Sequence, residues 1–266
     1  MSMDQIRLSI FIGVFLLMLV LEQFIQRHPT VDSKARRLAI NLGLTLLNTG
    51  LVKLIFGAAA AGVAAYAQSK GWGLLNILNV PAGLNILISV IVLDFSIYWQ
   101  HVLVHTVPLF WRFHIVHHSD LDLDVSSGFR FHPLEIVFSM LYKMLVVLLL
   151  GPSVIGVVVF EAILNGMAQF SHSNITLPLG LDRALRYLLV TPDMHRIHHS
   201  VERDETDSNY GFNLSIWDRW FGTYNDHGRK PQPEIDIGVP QFRKPNEVSF
   251  GKLISMPVQV RFSQPN

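Results

Sequence analysis

The chain has 266 residues, half of them apolar and only 15% charged, with 21 basic side chains against 20 acidic ones. Soluble globular chains carry about 25% charged residues, whereas the mean hydropathy here is positive, at +0.35. That balance excludes a disordered chain and argues for a membrane protein, and a net charge of +1 gives no basis for nucleic-acid binding. There is no cysteine, so disulfides, iron–sulfur clusters, thiolate zinc sites and cysteine nucleophiles are excluded. Twelve histidines in so apolar a chain need an explanation.

In chain order, the first apolar run is Ile6 to Leu21, interrupted only by Arg7 and Ser9. Its basic flank is weak and Glu22, Gln23 and Phe24 follow instead of a small-residue cleavage site, so it reads as an uncleaved anchor helix. Leu38 to Ala67 is a second stretch and Leu84 to about Val104 a third. Leu134 to Leu150 and Ser153 to Phe170 are a fourth and fifth, separated only by Gly151 and Pro152, which predicts a tight helical hairpin with both ends on one side. Each approaches the ~20 residues needed to cross a hydrocarbon core. The expected fold is an all-α integral membrane protein of about four to five transmembrane or hairpin helices, topped by a cytoplasmic helical cap. Loop charge sets the orientation: Arg27, Lys34, Arg36 and Arg37 lie between the first two runs, but only Lys70 between the second and third. The first connection is therefore cytoplasmic, and so is everything after about His172, a stretch holding eleven of the 21 basic residues.

The histidines fall in clusters at the cytoplasmic ends. His101 and His105 form HxxxH; His114, His117 and His118 form HxxHH, and His195, His198 and His199 repeat it. Three and four residues separate neighbours on one helix face, so each cluster can offer several imidazoles to a common point. His28 and His227 lie outside the clusters and read as surface residues. Eight imidazoles are too many for one metal and suit two; zinc, copper, iron and nickel all accept them. Neither Glu-x-x-His nor His-Glu-x-x-His occurs, against a carboxylate-bridged bundle or a zinc protease.

The segments DFSIYWQHVLVHTVPLFWRFHIVHHSD (Asp94 to Asp120), GFRFHPLE (Gly128 to Glu135), QFSHSNI (Gln169 to Ile175) and TPDMHRIHHS followed by NYGFNLSIWDRWFGTY (Thr191 to Tyr224) resemble the fatty acid hydroxylase superfamily. That group includes sterol desaturases, sterol methyl oxidases and alkylglycerol monooxygenase. The resemblance covers about half the chain, in the family's order. It implies a non-haem di-iron centre with two Fe ions, O2 as co-substrate, and hydroxylation or desaturation of a lipid such as a sterol, fatty acyl chain or ether lipid. Carried over by motif, the ligands are His101, His105, His114, His117, His118, His195, His198 and His199, with His172 as a ninth. Some hydroxylases of the group have a further histidine where Ala168 stands, and His132 either supplies that missing ligand or orients a neighbour. The expected organisation is residues 1–83 as N-terminal transmembrane helices, 84–224 as the catalytic domain and 225–266 as a polar tail without chemistry.

Polar residues inside apolar helices tend to face a functional interior. Asp94 shares an arc with Tyr98, His101 and His105, and reads as a carboxylate accepting a ligating histidine's ring N–H, or else as an interhelical hydrogen bond. Glu161, Asn165, Gln169 and His172 make a polar stripe, with Asn165 read as facing the metals or a substrate tunnel. Asp193 either bonds a ligand ring or caps the last cluster's helix, and Arg130 and Glu135 are paired with each other around His132. The aromatic run Trp217, Trp220, Phe221 and Tyr224 packs the cap or sits at the membrane interface, with a substrate gate as a further reading. With no Rossmann fingerprint and no haem- or flavin-binding segment, electrons would come from a separate donor such as a ferredoxin, a cytochrome or a reductase. A zinc-dependent membrane hydrolase is the alternative; a metal transporter or sensor fits less well, because transporters place their ligands at the bilayer midplane.

Overall fold

The computed structural model describes residues 3–260. The long helices are α1 (Met3–Phe24), α2 (Lys34–Phe56), α3 (Ala59–Lys70), the single turn α4 (Leu74–Ile77), α5 (Ala82–Thr106), α6 (Pro108–His118), α7 (Pro133–Leu150) and α8 (Val154–His172). Five short ones follow: α9 (Leu179–Leu185), α10 (Pro192–His198), α11 (Arg203–Thr206), α12 (Ile216–Phe221) and α13 (Phe250–Gln259). Among the described residues the fold is all-helical apart from isolated bridges such as Gln26 to Ile175.

Five segments are long and apolar enough to cross a membrane: Gln5–Phe24, Lys34–Ile77, Ala82–Thr106, Pro133–Leu150 and Val154–His172. The second, expected as one run, is broken where Gly57 takes φ +58°, a left-handed conformation that glycine adopts without strain. The hairpin forms as expected. Ser153 caps α8 by accepting from the Gly156 N–H, and Gly151 ends α7 at φ +68°. Gly73 packs so tightly against this turn that an added Cβ would stand 2.4 Å from the Gly151 Cα.

α7 and α8 each pack against α5 and α3, α1 lies along α8 and α2 along α7. Leu93, Ile97, Val147, Val157 and Phe160 form the buried centre of this bundle. α1 is parallel to α8: Arg7 pairs with Glu161 at 2.7 Å near one end, and Glu22 accepts from the Asn174 N–H at 3.0 Å near the other. Leu46, Leu54, Leu87, Leu145 and Leu149 remain exposed on the outer face. In water such a belt would be an aggregation liability; in a bilayer it meets hydrocarbon, while the helices satisfy their own backbone groups. The protein is an all-α membrane protein.

The α5 and α8 ends that carry histidine lie at one end of the bundle, together with α6 and α10. There the first connection is tied to the cap by Arg27, which pairs with Asp193 at 2.8 Å. Of the stretch read as a polar tail, residues 225–260 fold back over this end and 261–266 lie outside the described residues. Ile235 and Ile237 pack with Leu123 and Ile197, and α13 lays Leu253 and Met256 against Leu44, Ile115 and Val116.

Candidate metal centre

Nine histidines converge at this end, all buried, in two groups: His101, His105, His114, His118 and His198, and His117, His172, His195 and His199. In each group one ring nitrogen per residue lies within 4.8 Å of every other. The HxxHH clusters do not each address one point, as their spacing suggested. Residues four apart share a face, but adjacent residues on a helix diverge by about 100°. His114 and His118 therefore enter the first group while His117 enters the second; on α10, His195 and His199 enter the second and His198 the first. Each tandem pair of histidines links the two groups.

Hydrogen bonds fix the ring tautomers. The Nδ1–H groups of His101, His198 and His172 donate to the carbonyls of Tyr210, Ser208 and Ala168, each at 2.7 Å. His114 Nδ1–H donates to Glu135 Oε1 at 2.6 Å. A neutral ring that donates through Nδ1 carries a lone pair on Nε2. The His101 and His198 Nε2 atoms then face each other lone pair to lone pair at 3.1 Å. His172 Nε2 faces those of His195 at 3.0 Å and His117 at 3.2 Å. Protonation does not relieve this crowding. Burial pushes His117, His118, His195 and His199 well below the ordinary imidazole range, reinforced by neighbouring rings, and takes His198 down to about 3. Both nitrogens of His105 and of His118 are buried without a hydrogen-bond partner, as is His114 Nε2. Convergent unpartnered lone pairs in a dry site are the donor set of a transition metal, and these residues fit one in each group.

The loop after α6 holds the groups in place. Arg37 reaches from α2 to Asp120 Oδ1 at 2.8 Å and Asp124 Oδ2 at 2.7 Å, and also bonds the Asp122 carbonyl at 2.8 Å. Burial alone would raise the Asp120 carboxyl; Arg37 and Arg130 outweigh it and hold it well below the usual carboxylate range. Arg130 donates to the Val116 carbonyl at 3.0 Å, Asn41 Oδ1 at 3.1 Å and Ser119 Oγ at 3.3 Å, clamping the end of α6. It does not pair with Glu135 as expected. Gly128 sits where an added Cβ would stand 2.9 Å from the Ala168 carbonyl and 3.3 Å from His172 Nδ1, so the loop can approach His172 only without a side chain.

The other expected residues take different places. His132 stands outside both groups: its Nδ1 accepts from the Leu134 N–H at 3.2 Å, capping α7, and its Nε2 lies 3.2 Å from the Ile254 carbonyl. Asp94 touches no histidine; its Oδ2 accepts from Trp217 Nε1 at 2.8 Å and the Leu214 N–H at 3.3 Å, the interhelical role. Asn165 is only half-buried and bonds none of the histidines among the described residues. Asp193 neither caps α10, which Thr191 does, nor meets a histidine; it pairs with Arg27 and Arg196. Trp217 is buried in the cap and Trp220 is 72% exposed, so the run divides between the two placements expected of it. The groups that do orient the rings were missed. Three are backbone carbonyls, which side-chain reading cannot find; the fourth, Glu135, is a lone carboxylate at the head of an apolar helix, and that signal was there. Asp207 Oδ1 also faces His105 Nδ1, at 3.4 Å.

The chain is 31% identical to an alkylglycerol monooxygenase of Xenopus tropicalis over 79% of its length and 46% of that protein. It is 31% identical to the ornithine lipid hydroxylase OlsE of Rhizobium tropici over 60% of its length and 46% of that protein. With the human alkylglycerol monooxygenase the figures are 34%, 61% and 35%. The chain thus spans about half or less of the length of these curated relatives. No solved structure matches it. The family model for fatty acid hydroxylases matches residues 86–223, the segment that carries all nine converging histidines and the loop that braces them, and the chain belongs to that family.

Proposed function

We propose that this protein is a membrane-bound oxidoreductase that uses two non-haem irons, O2 and external electrons to hydroxylate or desaturate an unactivated C–H bond of a lipid. One observation supports the metal reading above the others: the His101 and His198 Nε2 atoms lie 3.1 Å apart with both Nδ1–H groups already committed to carbonyls, a pair of lone pairs that a bound cation would satisfy. His101, His105, His114, His118 and His198 would hold one ion, and His117, His172, His195 and His199 the other. Bound iron would supply the redox chemistry that activates O2. The chain itself keeps the rings neutral by burial, fixes their tautomers through Glu135 and the carbonyls, and excludes water with the cap. Oxygen insertion into a lipid is favoured because the relatives are named as a monooxygenase of alkylglycerol and a hydroxylase of ornithine lipid.

In this reading Glu135 accepts the His114 Nδ1–H at 2.6 Å and so holds that ring's Nε2 lone pair toward the metal. On this reading residues 84–224 act as the catalytic domain and the site faces the cytoplasm, which the basic first connection supports. Electrons come from a separate ferredoxin, cytochrome or reductase. Zinc would suit the same nitrogen donors and give a hydrolase, so the metal itself is the test. The protein is purified from membranes, metal per chain is counted and Mössbauer spectra are recorded. Two irons with a coupled signal are expected; zinc alone in protein supplied with iron would overturn the oxidoreductase reading. Lipid extracts from cells with and without the gene should then differ by a product that has gained one oxygen or lost two hydrogens.

A further inference from the structure

α13 has three sides. Leu253, Met256 and Pro257 are buried, the first two against Leu44, Ile115 and Val116. Lys252 and Gln259 make an exposed polar side, where Gln259 Nε2 donates to Ser255 Oγ at 2.7 Å. Phe250, Ile254 and Val258 recur every fourth residue, so they share the third side, turned away from the polar one. That side is apolar yet open: the three residues are 39%, 36% and 86% exposed. Packing α13 on the protein needs one apolar side; this helix has two.

The level at which α13 lies identifies what meets its open side. The spanning segment Pro133–Leu150 begins one residue after His132, so the hydrocarbon core on the metal-centre side ends near that point. His132 Nδ1 accepts from the Leu134 N–H at 3.2 Å, which leaves the neutral ring's proton on Nε2. Nε2–H donates to the Ile254 carbonyl at 3.2 Å and fixes the middle of α13 at the edge of the hydrocarbon. Arg112 Nη2 donates to the Val260 carbonyl at 3.2 Å and ties its far end to α6. At the near end, the Phe250 ring lies 3.2 Å from where a Cβ on Gly43 would stand, and Leu46 and Leu47, one turn further along α2, are exposed members of the apolar belt. The open stripe thus continues the lipid-facing surface. A helix with apolar and polar sides at such a boundary lies in its plane, the apolar side sunk about 5–10 Å. A stable protein interface buries about 800 Å² per partner, more than a stripe of three side chains offers. We propose that α13 is a membrane-surface helix whose partner is the bilayer itself, seated between headgroups and acyl chains on the metal-centre side and holding the cap down on the membrane. His132 then joins this surface helix to the start of α7, whose first turn carries Glu135.

The chain has no cysteine, so one cysteine at a time can be introduced and labelled with an environment-sensitive fluorophore. Val258→Cys and Ile254→Cys report the open stripe, Gln259→Cys the polar side and Leu46→Cys the belt. The full chain is placed in phosphatidylcholine nanodiscs at one copy per disc. Each label is challenged with iodide, which stays in water, and with a phosphatidylcholine carrying a nitroxide near the top of its acyl chain. Labels at 254 and 258 should be quenched by the nitroxide lipid as strongly as the label at 46, and by iodide several-fold less than the label at 259. Iodide quenching at 254 or 258 equal to that at 259 would place the stripe in water and overturn the proposal. Labels open to iodide at one copy per disc but protected at two would assign the stripe to a second copy of the chain and overturn it equally. Protection from both quenchers at one copy would mean that the protein's own chain covers the stripe, with the same consequence. The readout involves neither substrate nor turnover, so it stands apart from the outcome of the metal test.

Discussion

Replacing Glu135 with leucine removes the carboxylate hydrogen-bonded to the His114 ring of the metal centre. The His114 Nδ1–H that it accepts over 2.6 Å would be left buried without an acceptor, at about 1–3 kcal/mol. Loss of such a partner behind a metal-bound histidine lowers metal affinity roughly 10–100-fold, which corresponds to about 1.4–2.7 kcal/mol. His114 belongs to the five-histidine group, and Glu135 bonds no member of the other. Chelator titration of the purified protein, counting the metal retained per chain, should therefore split in two. Half the metal should leave at a chelator activity 10–100-fold lower than in the parent, and the other half should leave as before. Glu135→Gln keeps an oxygen acceptor and should fall between. Equal weakening of both halves, or no weakening, would refute the assignment of Glu135 to one ion.

The mirror-image result is expected for Gly128→Ala: its Cβ would collide with the Ala168 carbonyl that orients His172, so metal should be lost from the four-histidine group first in the same titration. Arg37→Met leaves Asp124 buried without the cation it pairs with, and Asp120 with Arg130 alone. It should destabilise the protein by about 3–5 kcal/mol in denaturant unfolding in detergent, and a loss under about 1 kcal/mol would contradict the network. The third expectation concerns acid. His117, His118, His195, His198 and His199 are held below the ordinary imidazole value, so in chelator-treated protein the unfolded chain binds protons that the folded chain refuses. Stability should be level above about pH 6.5 and fall below it, by up to about 1.4 kcal/mol per pH unit for each such ring. For His198 the fall continues towards its folded value of about 3. Asp120, depressed by its arginines, adds a further loss only below about pH 4. Melting temperatures across pH 8 to 5 check the sign, and a flat profile would show that the rings are not held neutral by burial.

Much of this protein is legible in one dimension because its determinants are local. A run of apolar residues close to the bilayer's thickness becomes a spanning helix whatever its neighbours, so the five spans, the Gly151–Pro152 hairpin and the common end of the histidines follow from composition and spacing. The ligand candidates were legible for the same reason: HxxxH and HxxHH place rings within a turn of one another. The sequence also determined that no metal here is held by thiolate, since cysteine is absent. Tertiary structure alone decided how nine rings divide into five and four, because that depends on where α5, α6, α8 and α10 meet, and a 100° step sends adjacent histidines apart. It also decided which groups stand behind the rings. Asp94 and Asp193 are close to histidines along the chain yet bond Trp217 and two arginines, while Glu135, 21 residues beyond His114, supplies the carboxylate. Orientation of a buried ring is fixed by whichever oxygen the packing brings within hydrogen-bond reach, and the Ser208 and Tyr210 carbonyls that do so carry no mark in the side-chain code.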